Sequence, residues 1–145
     1  MNDQTTIRYV RDKDEKFWFS LDAHLSVAEF HKKVRDRRGY VLSVGDRPVG
    51  ILRYSLFWDN TPFCNLLYIA EPYRRRGYGK KLMEHWEQEM KYSGYRLALV
   101  STRSDEEAQH FYRKSGYTDC GSLFLPGEAE ELFLCKNIGN DPQIQ

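Results

Sequence analysis

One stretch narrows the folds open to this chain more than any other. Phe63 to Ile69 is an apolar run of strand length, Pro72 interrupts it, and Arg74-Arg75-Arg76-Gly77-Tyr78-Gly79 follows. From Lys80 onward Leu82, Met83, Trp86 and Met90 then fall on one helical face. An apolar strand of this kind suits the centre of a sheet, where both faces are covered. A helix with a single apolar stripe needs a surface to lie on. The unit therefore predicts a layered α/β or α+β fold, with helices on the faces of a sheet.

The rest of the chain supplies the other layers. Thr5 to Arg11 reads as a strand, and Phe17, Trp18, Leu21 and Leu25 recur at helical spacing within Asp12 to Leu25. Ser26 and Glu29 form a capping box, predicting a helix from Val27 to about Arg38 that stops at Gly39. Tyr40 to Val44 and Val49 to Trp58 read as strands around a tight turn at Gly45-Asp46-Arg47, and Asp59 to Pro62 breaks the second of them. Gly94 ends the helix that follows the arginines, and Arg96 to Thr102 is a strand. Ser104 to Glu107 is a second capping box, predicting a short helix to about Ser115 with Gly116 just past its end. Thr118 to Leu125 and Glu131 to Lys136 make a closing hairpin around Pro126-Gly127. At 145 residues, without repeats or a linker, the expectation is one domain over residues 1–137 and a polar tail over 138–145.

Lysine and arginine (22) nearly balance aspartate and glutamate (21), which argues against a general nucleic-acid binder. No apolar run is long enough to span a bilayer, and the first residues carry no signal region. Cys64, Cys120 and Cys135 are read as reduced, mostly buried thiols of a cytoplasmic protein. The four histidines lack HxxxH or HxH spacing, so no metal site is expected.

The arginine–glycine turn is the candidate site. The first turn of a helix leaves backbone N–H groups without partners, and these suit an anion such as a diphosphate. Glycines let a ligand approach the backbone, and arginines add charge-assisted hydrogen bonds. It is neither a Walker loop nor the GxGxxG dinucleotide fingerprint. Taken alone, it fits either a pyrophosphate cradle or a loop with a solvated basic face.

The neighbouring residues add to this. An apolar strand, Asn65 to Ile69, followed by Arg74xxGly77xGly79 resembles motif A of the GNAT superfamily of N-acetyltransferases, written [RQ]xxGx[GA]. Ala108, Phe111, Tyr112, Gly116 and Tyr117 fit the pattern A-x-x-F-Y-x-x-x-G-[FY] of the family's motif B. The resemblance covers about Val41 to Tyr117. It implies a mixed, mostly antiparallel sheet with about four helices, splayed between the fourth and fifth strands. It also implies acetyl-CoA as co-substrate. The pyrophosphate would lie on Arg74, Arg75, Arg76, Gly77, Tyr78 and Gly79 with Lys80 close by, and the pantetheine would pair along Leu67, Tyr68 and Ile69 like an added strand.

The chemistry expected from the resemblance is direct attack by a primary amine in a ternary complex. An aliphatic ammonium with a pKa near ~10.4 leaves only about one molecule in a thousand neutral at pH 7. A base or a water chain must therefore take a proton. The N–H at or near Leu67 is the implied oxyanion donor, and Tyr112 matches the general acid that protonates the departing thiolate. No carboxylate lies in Phe63 to Ile69 or in Leu97 to Thr102, so a water relay is preferred to a dedicated base; Glu71 fits a solvated turn residue better. Asp105 stands where many members carry Asn beside the pantetheine, and as a carboxylate it also suits a helix N-terminus. Asp59 and Trp58 are candidate contacts for a cationic amine. Phe17 and Trp18 read as core, in a segment that often walls the acceptor cleft in this family.

The acceptor is read as a small-molecule or peptide amine, with a homodimer compatible and no nucleic-acid or membrane partner. A non-catalytic CoA-binding regulatory module is the competing reading. An RNA-binding protein using Arg74 to Arg76 is a weaker one.

Overall fold

The computed structural model describes residues 4–139. In chain order the elements are β1 (Thr5–Tyr9), α1 (Glu15–Leu21), α2 (Val27–Asp36), β2 (Gly39–Val44), β3 (Arg47–Phe57), β4 (Thr61–Ile69), α3 (Tyr78–Tyr92), β5 (Leu97–Arg103), α4 (Ala108–Lys114), β6 (Thr118–Leu123) and β7 (Glu131–Asn137). Short 3-10 turns, Asp12–Asp14 and Glu71–Tyr73, precede α1 and α3. The strands form one sheet in the order β1-β2-β3-β4-β5-β7-β6. The β1–β2, β2–β3, β5–β7 and β6–β7 ladders are antiparallel, and β4–β5 is parallel. That parallel ladder pairs Phe63 with Leu99 and Cys64 with Val100, whereas β5–β7 runs from Leu97↔Asn137 to Arg103↔Glu131. The mixed, mostly antiparallel sheet with four helices among the described residues is the architecture expected.

The chain packs as two compact units. Residues up to Tyr54 with Leu66–Trp86 make one, and Ser55–Asn65 with the residues from Glu87 onward make the other. In the first, Val41 and Ile51 face each other across β2 and β3 and join a buried cluster with Val10, Trp18 and Phe30. The alternate residues Tyr40, Leu42 and Leu52 are also buried, and the Tyr40 and Tyr54 rings lie 5.2 Å and 5.9 Å from His85 and Trp86 of α3. Period-two alternation thus puts apolar groups on both faces of β2 and β3. In the second unit Cys64, Met90, Ala98, Val100, Tyr112, Tyr117 and Leu134 are buried.

Several boundaries depart from expectation. β1 ends at Tyr9, because Arg11 caps the 3-10 turn and its N–H donates to the Asp14 carboxylate (2.8 Å). Ser26 caps α2 as expected, its Oγ accepting from the Glu29 N–H (3.1 Å), but Glu29 turns to Lys32 (3.1 Å). α2 stops at Asp36 with Arg37 in the left-handed conformation (φ 56°). Gly39 therefore opens β2 instead of ending the helix, and its lack of a side chain serves packing: a Cβ there would sit 2.9 Å from Val10 Cγ1 and 3.3 Å from Trp18. Ser104 caps nothing. The Glu106 carboxylate accepts from the Arg103 N–H (3.1 Å) and Thr102 Oγ1 (3.2 Å), Gln109 Nε2 donates to the Ser104 carbonyl (2.8 Å), and α4 begins only at Ala108.

β3 closes at Phe57, since Trp58 (φ 58°) and Asp59 (φ 64°) form a left-handed turn in which the Asn60 N–H donates to the Phe57 carbonyl (3.2 Å). Such mirror-image hairpin turns favour Asn-Gly, so Trp-Asp is a strained occupant. Of the cysteines Cys64 alone is buried; Cys120 is exposed at the β6 bulge and Cys135 is half-buried. Ile138 is buried and its N–H donates to the Arg96 carbonyl (2.9 Å), while residues 140–145 lie outside those described. Among the described residues no helix is long and apolar enough to cross a membrane.

Candidate functional site

The arginine–glycine turn lies between β4 and α3 and belongs to the first unit. The end of β4 is anchored from two sides. The Ala70 N–H donates to the Val49 carbonyl (2.8 Å), and Arg74 Nε donates to the Ile69 carbonyl (2.8 Å). β3 can come this close because residue 50 is glycine; a Cβ there would meet Ile69 Cδ1 at 2.6 Å. Leu67 is half-buried, Tyr68 is exposed and Ile69 is buried, the alternation of a strand end with one side open.

The three arginines differ. Arg74 is a clamp, with its guanidinium over the Tyr68 ring (4.9 Å) as well as on Ile69. Arg76 lies over the Tyr73 ring (5.5 Å). Arg75 takes a left-handed backbone (φ 63°). Gly77 is left-handed too (φ 86°), and a Cβ built on it meets nothing within 4 Å. The Gly77 carbonyl accepts the Lys81 N–H (3.1 Å), so Tyr78, Gly79 and Lys80 form the first helical turn. Open space, first-turn N–H groups and Arg75, Arg76 and Lys80 exposed around them fit an anion such as a diphosphate.

Tyr112 belongs to the second unit, on α4. It is buried (6% exposed), and its hydroxyl makes no hydrogen bond among the described residues. Burial pushes its pKa well above the ordinary value, with Cys64 and Glu106 adding to the rise. The ring is walled by Phe111 (5.3 Å) and by Tyr117 (5.9 Å, interplanar 66°).

The other expected residues scatter. Trp58 is 77% exposed with its ring on Phe57 (4.6 Å), and Asp59 is exposed beside it. Asp105 pairs with Arg103 (2.9 Å) in the turn before α4, not on a helix N-terminus. Glu71 is exposed in the 3-10 turn. Trp18 is fully buried, with Nε1 donating to Asp22 (3.0 Å). Among the described residues no cluster of three or more His, Cys, Asp or Glu could hold a metal.

Three buried carboxylates escaped the sequence reading: Asp14, which accepts from the Arg8 guanidinium (2.8 and 2.9 Å) and the Arg11 N–H (2.8 Å), Asp22 and Glu87. Asp22 accepts from Trp18 Nε1, Arg53 Nε (2.8 Å) and the His24 N–H (3.0 Å). Glu87 accepts from the Tyr117 hydroxyl (2.8 Å) and Lys136 Nζ (3.0 Å). The signal for Glu87 was present: a carboxylate inside the apolar stripe of Met83, Trp86 and Met90 calls for buried partners.

Comparisons with known proteins agree with this architecture. Among curated proteins none matches at a significant level. Among solved structures, Ard1 from Thermoplasma volcanium is similar at a TM-score of 0.82 and 20% identity, covering 92% of this chain and 97% of that one. The ribosomal-protein-S18-alanine N-acetyltransferase from Escherichia coli gives 0.78 and 14%, covering 98% and 99%. Naa50 from Arabidopsis thaliana, in complex with the bisubstrate analogue CoA-Ac-MVNAL, gives 0.77 and 17%, covering 92% and 98%. At these identities the likeness is one of fold. The model of the acetyltransferase (GNAT) family matches residues 7–117, which take in both the arginine–glycine turn and Tyr112, and the chain belongs to that family.

Proposed function

We propose that this chain is an acetyl-CoA-dependent N-acetyltransferase, acting as one domain over residues 1–137 in the cytoplasm. The observation that carries the reading is the turn from Arg74 to Lys80, where two left-handed residues, Arg75 and the open Gly77, meet the first N–H groups of α3. Acetyl-CoA supplies an activated thioester whose acyl group moves to an amine. The backbone of Arg75 to Gly79 would hold its pyrophosphate, with Arg76 and Lys80 adding charge. Arg74 serves this site indirectly, by fixing the end of β4 through Ile69. The backbone of Leu67 to Ile69 would pair with the pantetheine amides, and the Leu67 N–H would face the acyl oxygen as negative charge grows on it.

Tyr112 would deliver a proton to the departing thiolate. Its raised pKa keeps that proton in place throughout the physiological range. The acceptor is a primary amine on a small molecule or a peptide, with Trp58 and Asp59 as exposed aromatic and acidic contacts for a cation. Water takes the proton of the amine, since Phe63 to Ile69 and Leu97 to Thr102 hold no carboxylate and Glu71 is exposed in its turn.

The test is thiol release from acetyl-CoA against a panel of spermidine, free amino acids and short peptides with free α-amino groups. The expected result is turnover with one class, with kcat/KM rising with pH along the pKa of that amine. Acetyl-CoA binding without turnover on any amine favours the regulatory-module reading instead.

A further inference from the structure

The buried Glu87 has no part in the mechanism above, and its surroundings lead to Tyr112. Glu87 lies on α3 with its side chain 10% exposed, and both of its oxygens are engaged. Oε2 accepts the Tyr117 hydroxyl at 2.8 Å, and Oε1 accepts Lys136 Nζ from β7 at 3.0 Å. Lys136 also lies over the face of the Tyr117 ring, 5.7 Å from its centroid. Tyr117 is thus gripped at its hydroxyl and on its face, and it is 2% exposed. Its own ring meets Tyr112 nearly edge-on at 5.9 Å, and its N–H donates to the Tyr112 carbonyl at 3.1 Å. Tyr112 makes no hydrogen bond through its hydroxyl among the described residues, so packing fixes where that hydroxyl points.

The geometry points to Glu87 and Tyr117 as positioning residues for Tyr112: the carboxylate locks the Tyr117 ring, and that ring sets the orientation of the Tyr112 phenol. The role rests on Tyr112 being the general acid. It explains why a carboxylate that costs energy to bury is kept inside an apolar helix stripe. A staple joining α3 to β7 would explain the Glu87–Lys136 pair equally well. It would not make the Tyr117 hydroxyl matter to turnover.

A double-mutant cycle separates the two. Tyr117→Phe removes one hydroxyl and keeps the ring. With acetyl-CoA and the fastest amine of the panel, it should lower kcat by about tenfold, less than the roughly hundredfold at stake in a full acid–base contribution. KM for acetyl-CoA should stay within about twofold, because the change touches no binding group. In a Tyr112→Phe background the same change should cost nothing further, since the group it positions is gone. Glu87→Gln, which keeps an oxygen for the Tyr117 hydroxyl, should retain more of kcat than Glu87→Leu.

A second readout needs no acceptor. With 13C-labelled tyrosine rings, Tyr112 should show slow ring flipping in the wild type and faster flipping in Tyr117→Phe. A Tyr117→Phe protein with a lower melting temperature but unchanged kcat and unchanged Tyr112 ring signals overturns the proposal and leaves a structural staple. Losses that multiply in the double variant also overturn it. Full kcat in Tyr112→Phe alone is a different failure: it removes the acid assignment itself, and the positioning role falls with it.

Discussion

Tyr112 holds a proton that burial makes hard to lose, and this defines the acid it can be. An ordinary phenol has a pKa near ~10 and a thiol near ~8.5, so transfer to a thiolate already runs uphill in water. Burial raises the phenol further, so in the proposed acid role Tyr112 would act only on a thiolate forming beside it. Because its pKa is raised, Tyr112 stays protonated at every pH below its ordinary value. Any alkaline loss of activity below about pH 10 therefore belongs to another group. Tyr112→Phe keeps the ring against Phe111 and Tyr117 and removes only the hydroxyl. It should bind acetyl-CoA normally and turn over roughly ten- to a thousandfold more slowly. Steady-state kinetics with a melting curve on the same protein checks this, and unchanged kcat where chemistry limits the rate would make Tyr112 a packing residue.

At the scale of elements, α1 is tied to β3 by Asp22. Its carboxylate is fully buried, against 12% exposure for the Arg53 side chain it pairs with. Burial pushes its pKa up, but Arg53, the His24 N–H and Trp18 Nε1 more than compensate, and the net shift is downward. A lowered carboxylate pKa contributes stability that is complete above the unfolded value and is lost as pH falls through the folded one. Asp22 therefore adds to an acid-side decline that begins below about pH 4. Asp22→Asn should cost about 3 kcal/mol at pH 7, the low end for a broken buried pair because Arg53 keeps some solvent contact. It should also flatten the decline below pH 4. Urea unfolding at pH 7 and pH 3 measures both, and an equal loss at the two pH values would show that the charge is not what matters.

How legible such elements were depended on the range of the interactions that define them. The β4-turn-α3 unit and the Ser26 cap could be read because their signals lie within a few residues. Ser104 misled, because the Glu106 carboxylate reaches backwards to Arg103 and Thr102. Gly39 misled because its reason is contact with Val10 and Trp18, not turn geometry. The partners of Asp22 and Glu87 include residues 30 or more positions away, a distance no local pattern spans.

At the scale of the whole molecule, the central claim is that this fold binds acetyl-CoA through the turn at Gly77. A ligand that binds the native state alone raises stability, by about 2.7 kcal/mol at a hundredfold excess over Kd. Gly77 offers a direct probe. A side chain there meets nothing within 4 Å, so Gly77→Asp should fold, with a modest loss from the left-handed φ of 86°. Its carboxylate would lie where the pyrophosphate must sit. Gly77→Asn carries the same backbone strain with no charge and serves as the control. The decisive measurement is calorimetric titration of acetyl-CoA into the wild type and both variants. The account predicts a saturable heat for the wild type, weakened binding for Gly77→Asn and none for Gly77→Asp. No binding by the wild type, or unchanged affinity in Gly77→Asp, would contradict it.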